Sequence, residues 1–175
     1  DYETVLEQYY FKNAWTRQRK ALDKKEKEIY TRDCGMKIDL LNLNWIYRAK
    51  KYYHMLPPDI YLMTIPIHYR IKVDEFKALV EAPTVDQFMQ LLANTYYENR
   101  FHAMQRSEGM EQFYKACIHG MYLSDRRRNP YSLATVNTYL FLKEEEINRL
   151  TTALECIRYG LTPRETLGYI GGAKK

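Results

Sequence analysis

Apolar residues recur three and four positions apart along most of the chain, which is the spacing of amphipathic helices. Residues 1–30 predict a helix with only a thin apolar stripe and with mixed charges that are typical of a solvated face. Asp33-Cys34-Gly35 predicts the end of this helix, with Gly35 as its C-terminal stop. A second helix is predicted over residues 37–54, and we expect it to be central because its apolar surface is broad: Ile38, Leu40, Leu41, Leu43, Trp45, Ile46, Tyr47, Ala49 and Tyr52.

Prolines and capping residues delimit the elements that follow. Pro57-Pro58 ends the second helix and begins a short helical turn, since proline suits the first helical position. Residues 64–71 predict a loop or a short extended piece, because they combine a proline with β-branched residues. Helices return over residues 73–82 and, from a cap at Thr84, over residues 84–97.

The last third of the chain predicts two longer helices and a short one. The first covers residues 108–124 and ends at a polar, arginine-rich break over residues 125–130. A final short helix begins at the cap Thr162. The long helix between them covers residues 132–160, ends at Gly160 and is predicted to hold one apolar face inside: Leu133, Val136, Leu140, Ile147, Leu150, Leu154 and Ile157. No segment alternates as a strand does, so the predicted fold class is all-α.

Composition excludes several classes of protein. The 175 residues are 46% hydrophobic, which argues against general disorder, and only 7 are glycine, which argues against a glycine-rich phosphate loop. No apolar run reaches the roughly 18 residues of a membrane span, and the N-terminus lacks a signal-peptide pattern. Three scattered cysteines suit neither a disulfide framework nor a zinc site, so we expect a reducing, intracellular compartment: Cys34, Cys117 and Cys156.

Candidate catalytic chemistry is sparse. The four histidines lie in four different segments without metal-ligand spacing: His54, His68, His102 and His119. Glu144-Glu145-Glu146 is a run of carboxylates, but consecutive helical residues point to different faces and cannot form a facing acid/base pair. The sequence therefore does not support an enzyme active site.

Basic clusters leave a nucleic-acid-binding module open as an alternative. They could contact phosphates while some of the 17 tyrosines stack on bases: Arg17, Arg19, Lys20, Lys50, Lys51, Arg126, Arg127 and Arg128. Against this, a net charge of +5 is mild for 175 residues, and the clusters are spread along the chain. A generic helical adaptor that binds another protein through exposed tyrosines is a further alternative.

Two ordered stretches carry a resemblance to a known family. The run from Ile38 to Tyr53, IDLLNLNWIYRAKKYY, resembles the central signature of the C subunit of archaeal and bacterial V-type (A-type) ATPases, called subunit d in eukaryotes. The run from Tyr139 to Leu161 is similar to the C-terminal signature of that family. Residues 57–70 fit the short helix and the loop between the two signatures, and the resemblance spans about residues 30–170.

The resemblance implies a non-catalytic central-stalk subunit without cofactor or metal. Members are soluble, all-helical, funnel-shaped proteins of three related repeats, which link the rotor shaft to the membrane ring and couple ATP hydrolysis or synthesis to H⁺ or Na⁺ transport. The expected partners are the shaft subunits and the membrane ring, and the expected location is cytoplasmic and peripheral on the membrane. Members are longer than this chain, so it resembles their C-terminal half to two-thirds, with a central repeat over residues 1–104 and a C-terminal repeat over 105–175.

Signature residues of the family are expected to serve packing or an interface. Asp39 and Asn42 lie one turn apart on one helix face. Asp39, placed near the predicted helix start, suits the helix dipole, and Asn42, on an apolar helix, needs a buried partner such as a loop carbonyl. The further signature positions are Trp45, Arg48, Lys50, Lys51, Glu146 and Arg158. Among the charged residues, those expected to be exposed for partner contacts are Arg48, Lys50, Lys51, Arg126, Arg127 and Arg128.

Two departures from the family pattern concern the loop and the second signature. The loop over residues 65–69 lacks the paired glycines that are common after the proline in relatives, so its turn geometry must differ. Arg149 stands where relatives usually have Asn, so a buried role inferred for Asn42 does not transfer to Arg149.

Overall fold

A computed structural model describes residues 2–98 and 109–171 of the chain. Within these ranges the protein consists of helices and contains no strand, which confirms the all-α class. The helices are α1 (Tyr2–Ala21), α2 (Lys24–Tyr52), α3 (Pro57–Met63), α4 (Val73–Glu81), α5 (Val85–Leu92), α6 (Gly109–Arg128), α7 (Leu133–Arg158) and α8 (Pro163–Tyr169). None of the helices so described is long and apolar enough to cross a membrane.

The helix break predicted at residues 33–35 is wrong. The chain instead breaks after α1, at Asp23, whose carboxylate accepts the Glu26 N–H at 2.9 Å and caps α2. Helix α2 then continues unbroken through Gly35. A Cβ at Gly35 would lie 2.5 Å from Cγ of Tyr69, so this glycine permits a close approach of an aromatic ring and does not end a helix.

Helix α2 is central, as predicted, and contacts α1, α3, α5, α6 and α7. Its buried face differs in part from the predicted one, because Leu41 and Trp45 are only half-buried and Tyr52 is exposed. The main core joins α2 to α4, α5 and α6 through large, almost fully buried side chains: Leu40, Leu43, Ile46, Leu79, Phe88, Leu92, Met110 and Phe113.

The short elements between α2 and α6 follow the predicted order. Helix α3 begins at Pro57, residues 64–71 form a loop, and the Thr84 hydroxyl caps α5 by accepting the Gln87 N–H at 3.1 Å. Helix α5 ends at Leu92, earlier than predicted. Beyond this end, the Thr95 hydroxyl donates to the Leu92 carbonyl at 2.8 Å and so provides a partner for the terminal carbonyl of α5.

The bounds predicted for α7 are close to those observed, but its predicted inner face is wrong. The helix ends where Gly160 adopts φ +73°, as expected of a C-terminal stop. Its buried residues are Ala134, Thr138 and Cys156, on a side that excludes the predicted apolar residues. Those residues are exposed apart from Leu133, which is half-buried: Val136, Leu140, Ile147, Leu150, Leu154 and Ile157.

Polar contacts and an aromatic stack fix the orientation of α7. The Leu133 N–H donates to the Glu26 carboxylate of α2 at 2.8 Å, and the Thr138 hydroxyl donates to the Tyr122 carbonyl of α6 at 2.8 Å. The rings of Tyr122 and Phe141 stack with centroids 4.8 Å apart. These contacts hold the side of α7 that carries Thr138 and Phe141 against the other helices. Helix α8 begins at the predicted capping box, in which the Thr162 N–H donates to the Glu165 carboxylate at 2.8 Å.

Candidate functional site

The buried amide of Asn42 binds the loop over residues 64–71, which confirms the prediction of a loop carbonyl as its partner. Its Nδ2 donates to the Ile65 carbonyl at 2.9 Å, and its Oδ1 accepts the Ile65 N–H at 2.8 Å. Both backbone groups of Ile65 are therefore satisfied by one side chain, which allows a buried loop residue to forgo regular secondary structure.

Asp39 binds the other end of the same loop. It lies in the middle of α2 and not near a helix start, so the predicted dipole role is wrong. Its carboxylate accepts the N–H groups of Tyr69, Arg70 and Ile71 at 3.1, 2.6 and 3.2 Å, and the Tyr97 hydroxyl at 3.2 Å. Burial raises the pKa of Asp39 above its ordinary value, while these four donors to the ionised form oppose the rise.

Residues of α1 and α4 also contact this loop and the end of α3 before it. The Gln8 amide of α1 donates to the carbonyls of Leu62 and Thr64 at 2.6 and 3.0 Å. The His68 ring packs on Phe76 with centroids 4.6 Å apart, and burial lowers the pKa of His68. No residue of the loop has a positive φ, so it turns without the conformation that paired glycines would supply.

The three basic residues at the end of α2 have different environments: one caps another helix, and two are exposed. Lys50 is half-buried, contrary to the expected exposure, and its ammonium donates to the carbonyls of Val80 and Ala82, both at 2.6 Å. These carbonyls end α4, so Lys50 caps that helix from outside, and burial lowers its pKa. Arg48 and Lys51 are exposed, with the Lys51 ammonium 2.8 Å from the Tyr47 hydroxyl.

A groove of about 1400 Å³ opens beside this end of α2. It lies between the C-terminal end of α2 and the α4–α5 connection, and its lining mixes charged with apolar side chains. His54, which adopts φ +49°, turns the chain at its edge. The charged members of the lining carry both signs: Lys50, Lys51, Glu81 and Asp86.

A second polar cluster, which the sequence did not indicate as a site, joins three helices. The Arg32 Nε donates to the buried Asp125 carboxylate of α6 at 2.7 Å, and the Asn137 amide of α7 donates to Asp33 at 3.1 Å. Burial and the hydrogen bond with the Asp125 carboxyl raise the pKa of Asp33 to about 8. The missed signal was the three- and four-residue spacing of Ile29, Asp33, Met36, Leu40, Leu43 and Tyr47, which runs through the predicted break.

The other predicted site residues lie away from the loop. Trp45 is half-buried on α2, and Glu146 is exposed on α7, where it pairs with Lys143 at 2.7 Å. Exposed arginines end the two long C-terminal helices, Arg158 on α7 and the remaining three on α6: Arg126, Arg127 and Arg128. The polar break expected at the last three is wrong, since α6 includes them. In the described ranges no three His, Cys, Asp or Glu side chains come together as a metal site.

The fold and the loop contacts define an all-α protein in which the buried side chains of Asp39, Asn42 and Thr138 bind its own backbone. The family model described as ATP synthase (C/AC39) subunit matches residues 1–169, nearly the whole chain. The protein therefore belongs to this family and is a subunit of a V-type or A-type ATPase, as the resemblance predicted. Searches of curated proteins and of solved structures found no match.

Proposed function

We propose that this subunit is a non-catalytic component of the central stalk, which links the rotor shaft to the membrane ring and couples ATP hydrolysis or synthesis to H⁺ or Na⁺ transport. The family match over residues 1–169 carries the proposal. The site geometry supports it, because three signature residues of α2 form internal hydrogen bonds: Asp39 and Asn42 bind the loop over residues 64–71, and Lys50 caps α4. A part that transmits torque requires such internal rigidity.

The proposed partners are the shaft subunits and the membrane ring, and the proposed location is peripheral on the cytoplasmic side of the membrane. Arg48 and Lys51 are the signature residues of α2 best placed for a partner, since both are exposed at the end of the helix that binds this loop. The exposed arginines at the end of α6 are a second candidate contact: Arg126, Arg127 and Arg128.

Charge reversal of Arg48 and Lys51 in the assembled ATPase tests the proposal. We expect Arg48→Glu with Lys51→Glu to lower the number of ions moved per ATP hydrolysed, because opposite charge at the contact weakens the linkage between shaft and ring. Ion transport and ATP hydrolysis are measured together on the same membranes. Lys24→Glu with Lys25→Glu is the matched control, since both lysines are exposed in the first turn of α2.

The possible outcomes test the proposed contact through Arg48 and Lys51 separately from the proposed central-stalk function. Unchanged coupling in an assembled complex would remove Arg48 and Lys51 from the proposed contact. Failure of the wild-type subunit to co-purify with the shaft subunits and the ring would contradict the central-stalk function itself.

A further inference from the structure

The exposed apolar residues of α7 form a heptad repeat. Apolar positions alternate at spacings of three and four from one end of the helix to the residues just beyond it. In heptad terms, the a positions are Leu133, Leu140, Ile147, Leu154 and Leu161, and the d positions are Val136, Lys143, Leu150 and Ile157. We call these nine residues the heptad stripe. Its repeat is that of a left-handed coiled-coil seam, not of an ordinary surface helix.

The heptad stripe is exposed along most of its length. Six of its apolar side chains are between 53% and 67% exposed, and only the end residues Leu133 and Leu161 are half-buried. Single exposed apolar side chains are common on proteins, but a contiguous line of them along a 26-residue helix indicates an interaction surface.

The heptad stripe lies on the opposite side of α7 from the residues that pack against the other helices. Helix α7 is anchored at its start by the Leu133 N–H to Glu26, and on the side that packs against α2 and α6 by Asn137 to Asp33 and Thr138 to Tyr122. The buried residues Ala134, Thr138 and Cys156 lie on that same anchored side. Rotation of α7 to bury the stripe would break these bonds. One side of the helix therefore holds it in the fold, and the heptad stripe stays exposed.

Charged residues on and beside the heptad stripe indicate which charges a partner helix would carry. Lys143 is its one polar member, and a single polar residue in a coiled-coil seam selects the partner and its register. Glu144 and Glu146 occupy the flanking e and g positions next to it, and Glu146 pairs with Lys143 at 2.7 Å. A matching helix requires a carboxylate opposite Lys143 and basic residues opposite the two glutamates.

We propose that the heptad stripe is the docking surface for one helix of a different protein, which presents its own apolar heptads, an Asp or Glu facing Lys143, and Lys or Arg facing Glu144 and Glu146. The proposal names a surface and a kind of partner that the proposed function leaves open, and it does not depend on that function.

A second copy of this chain is a poorer occupant. In an antiparallel pair each d residue faces an a residue, and every a residue here is Leu or Ile, so Lys143 always meets an aliphatic side chain. In a parallel pair each d residue faces another d residue, so Lys143 meets Lys143, Val, Leu or Ile. No register of two copies therefore offers Lys143 a carboxylate in the seam, whereas a different helix can.

Synthetic peptides that span the same heptads test the proposal. Each peptide carries Leu at a and d, Lys at the flanks that face Glu144 and Glu146, and either Glu or Lys opposite Lys143, with versions for the parallel and the antiparallel seam. The flanking Lys residues also discourage peptide self-association. Fluorescence anisotropy measures binding to the full chain, at a concentration where sedimentation velocity shows a monomer.

Charge selectivity and its reversal are the expected results. In one of the two orientations the Glu peptide should bind at least about tenfold tighter than the Lys peptide, because it places a carboxylate opposite Lys143, whereas the Lys peptide places two like charges together in the seam. Lys143→Glu should reverse this preference, and Leu150→Glu should abolish binding of both peptides. Val73→Glu, at a similarly exposed apolar residue away from the stripe, is the matched control and should bind like the wild type. Circular dichroism spectra and melting temperatures verify that each variant is folded.

Three results would overturn the proposal. Equal binding of the Glu and Lys peptides would show an unselective apolar surface, and an absence of binding would show no docking surface. Concentration-dependent dimers that Leu150→Glu disrupts would identify a second copy as the occupant. The central-stalk function would survive each of these results, since it is tested separately in the assembled ATPase.

Discussion

At the scale of single residues, the hydrogen bonds of the Asn42 side chain are important for the stability of the fold. One amide satisfies both backbone groups of a fully buried loop residue, Ile65, and links the centre of α2 to a segment that has no regular hydrogen bonding. A buried backbone group without a partner costs about 1–3 kcal/mol, and the Ile65 N–H depends on this amide alone, whereas the Ile65 carbonyl also accepts the Ile67 N–H at 2.8 Å.

Replacement of Asn42 by alanine should therefore lower the free energy of unfolding by about 1–3 kcal/mol, because the Ile65 N–H loses its partner while the Ile65 carbonyl keeps only the Ile67 N–H. Urea denaturation followed by circular dichroism measures the loss. Asn148→Ala on the exposed surface of α7 is the matched control, and we expect it to be neutral or slightly stabilising. A loss below about 0.5 kcal/mol for Asn42→Ala would contradict the role assigned to the amide.

The two loop-binding residues differ in how far the sequence could predict them. Asn42 was predictable, because an amide within an apolar helical stripe must find a buried partner. The role of Asp39 was not, because its partners lie about 30 positions later in a loop whose path depends on tertiary packing. The sequence predicts Lys50 to be exposed, because a basic residue near a helix end looks the same in the sequence whether it faces solvent or the end of another helix.

At the scale of elements, the sequence pattern predicts a different feature wrongly in each of the two longest helices: the continuity of α2 and the buried face of α7. Asp33 and Gly35 are poor helix residues, yet the stripe from Ile29 to Tyr47 carries α2 through them, because burial against the core outweighs local propensity. In α7 the apolar periodicity predicts the helix and its ends correctly, but it cannot say which protein covers the apolar side. Periodicity therefore predicts elements better than it predicts their neighbours.

Gly35 provides a test of the continuous α2. Gly35→Ala should lower stability although alanine is the better helix residue, because the added Cβ would meet the Tyr69 ring at 2.5 Å. The same substitution in a Tyr69→Gly background should be stabilising by up to about 1 kcal/mol, since glycine removes both the ring and the Tyr69 Cβ that lies 2.8 Å from the added Cβ. Thermal unfolding of both pairs measures the effect.

Gly120 supplies the matched control for that test. It lies inside α6 with open space around the position of a Cβ, so Gly120→Ala should be stabilising by up to about 1 kcal/mol in the wild-type background. If Gly35→Ala stabilised the wild-type protein as much as Gly120→Ala does, the close packing of Tyr69 on α2 would be refuted.

At the scale of the whole molecule, a buried acidic cluster holds α6 and α7 to α2. Asp33 shares its surroundings with Arg32, Asp125 and Asn137, so the junction of three helices contains two carboxyl groups and one guanidinium. The division into a central repeat over residues 1–104 and a C-terminal repeat over 105–175 stays a prediction. The acidic signature residues Asp39 and Glu146 differ in environment, since Asp39 is buried in α2 against the loop over residues 64–71 and Glu146 is exposed beside Lys143.

The acidic cluster predicts a stability that falls as pH rises. The pKa of Asp33 is raised from 3.8 to about 8 in the folded protein, so its contribution is fully present below about pH 4 and is lost as pH passes through about 8. Asp33→Asn removes this titration and should flatten the fall in unfolding free energy over that window. Denaturant unfolding across the pH range measures both slopes.

The exposed Asp74→Asn is the control for this pH dependence and should keep the wild-type slope. Equal slopes for wild type and Asp33→Asn would show that the Asp33 carboxyl does not retain its proton in the folded protein.

The uninterrupted α2 also has a mechanical consequence. Glu26 receives the first N–H of α7 near one end of this helix, and Lys50 holds the last carbonyls of α4 near the other, about 36 Å away at the helical rise. A break at residues 33–35 would have placed a hinge between these two attachments. Without one, both attachments lie on a single rigid element, and a twist applied at the α4 end is passed along α2 to the start of α7.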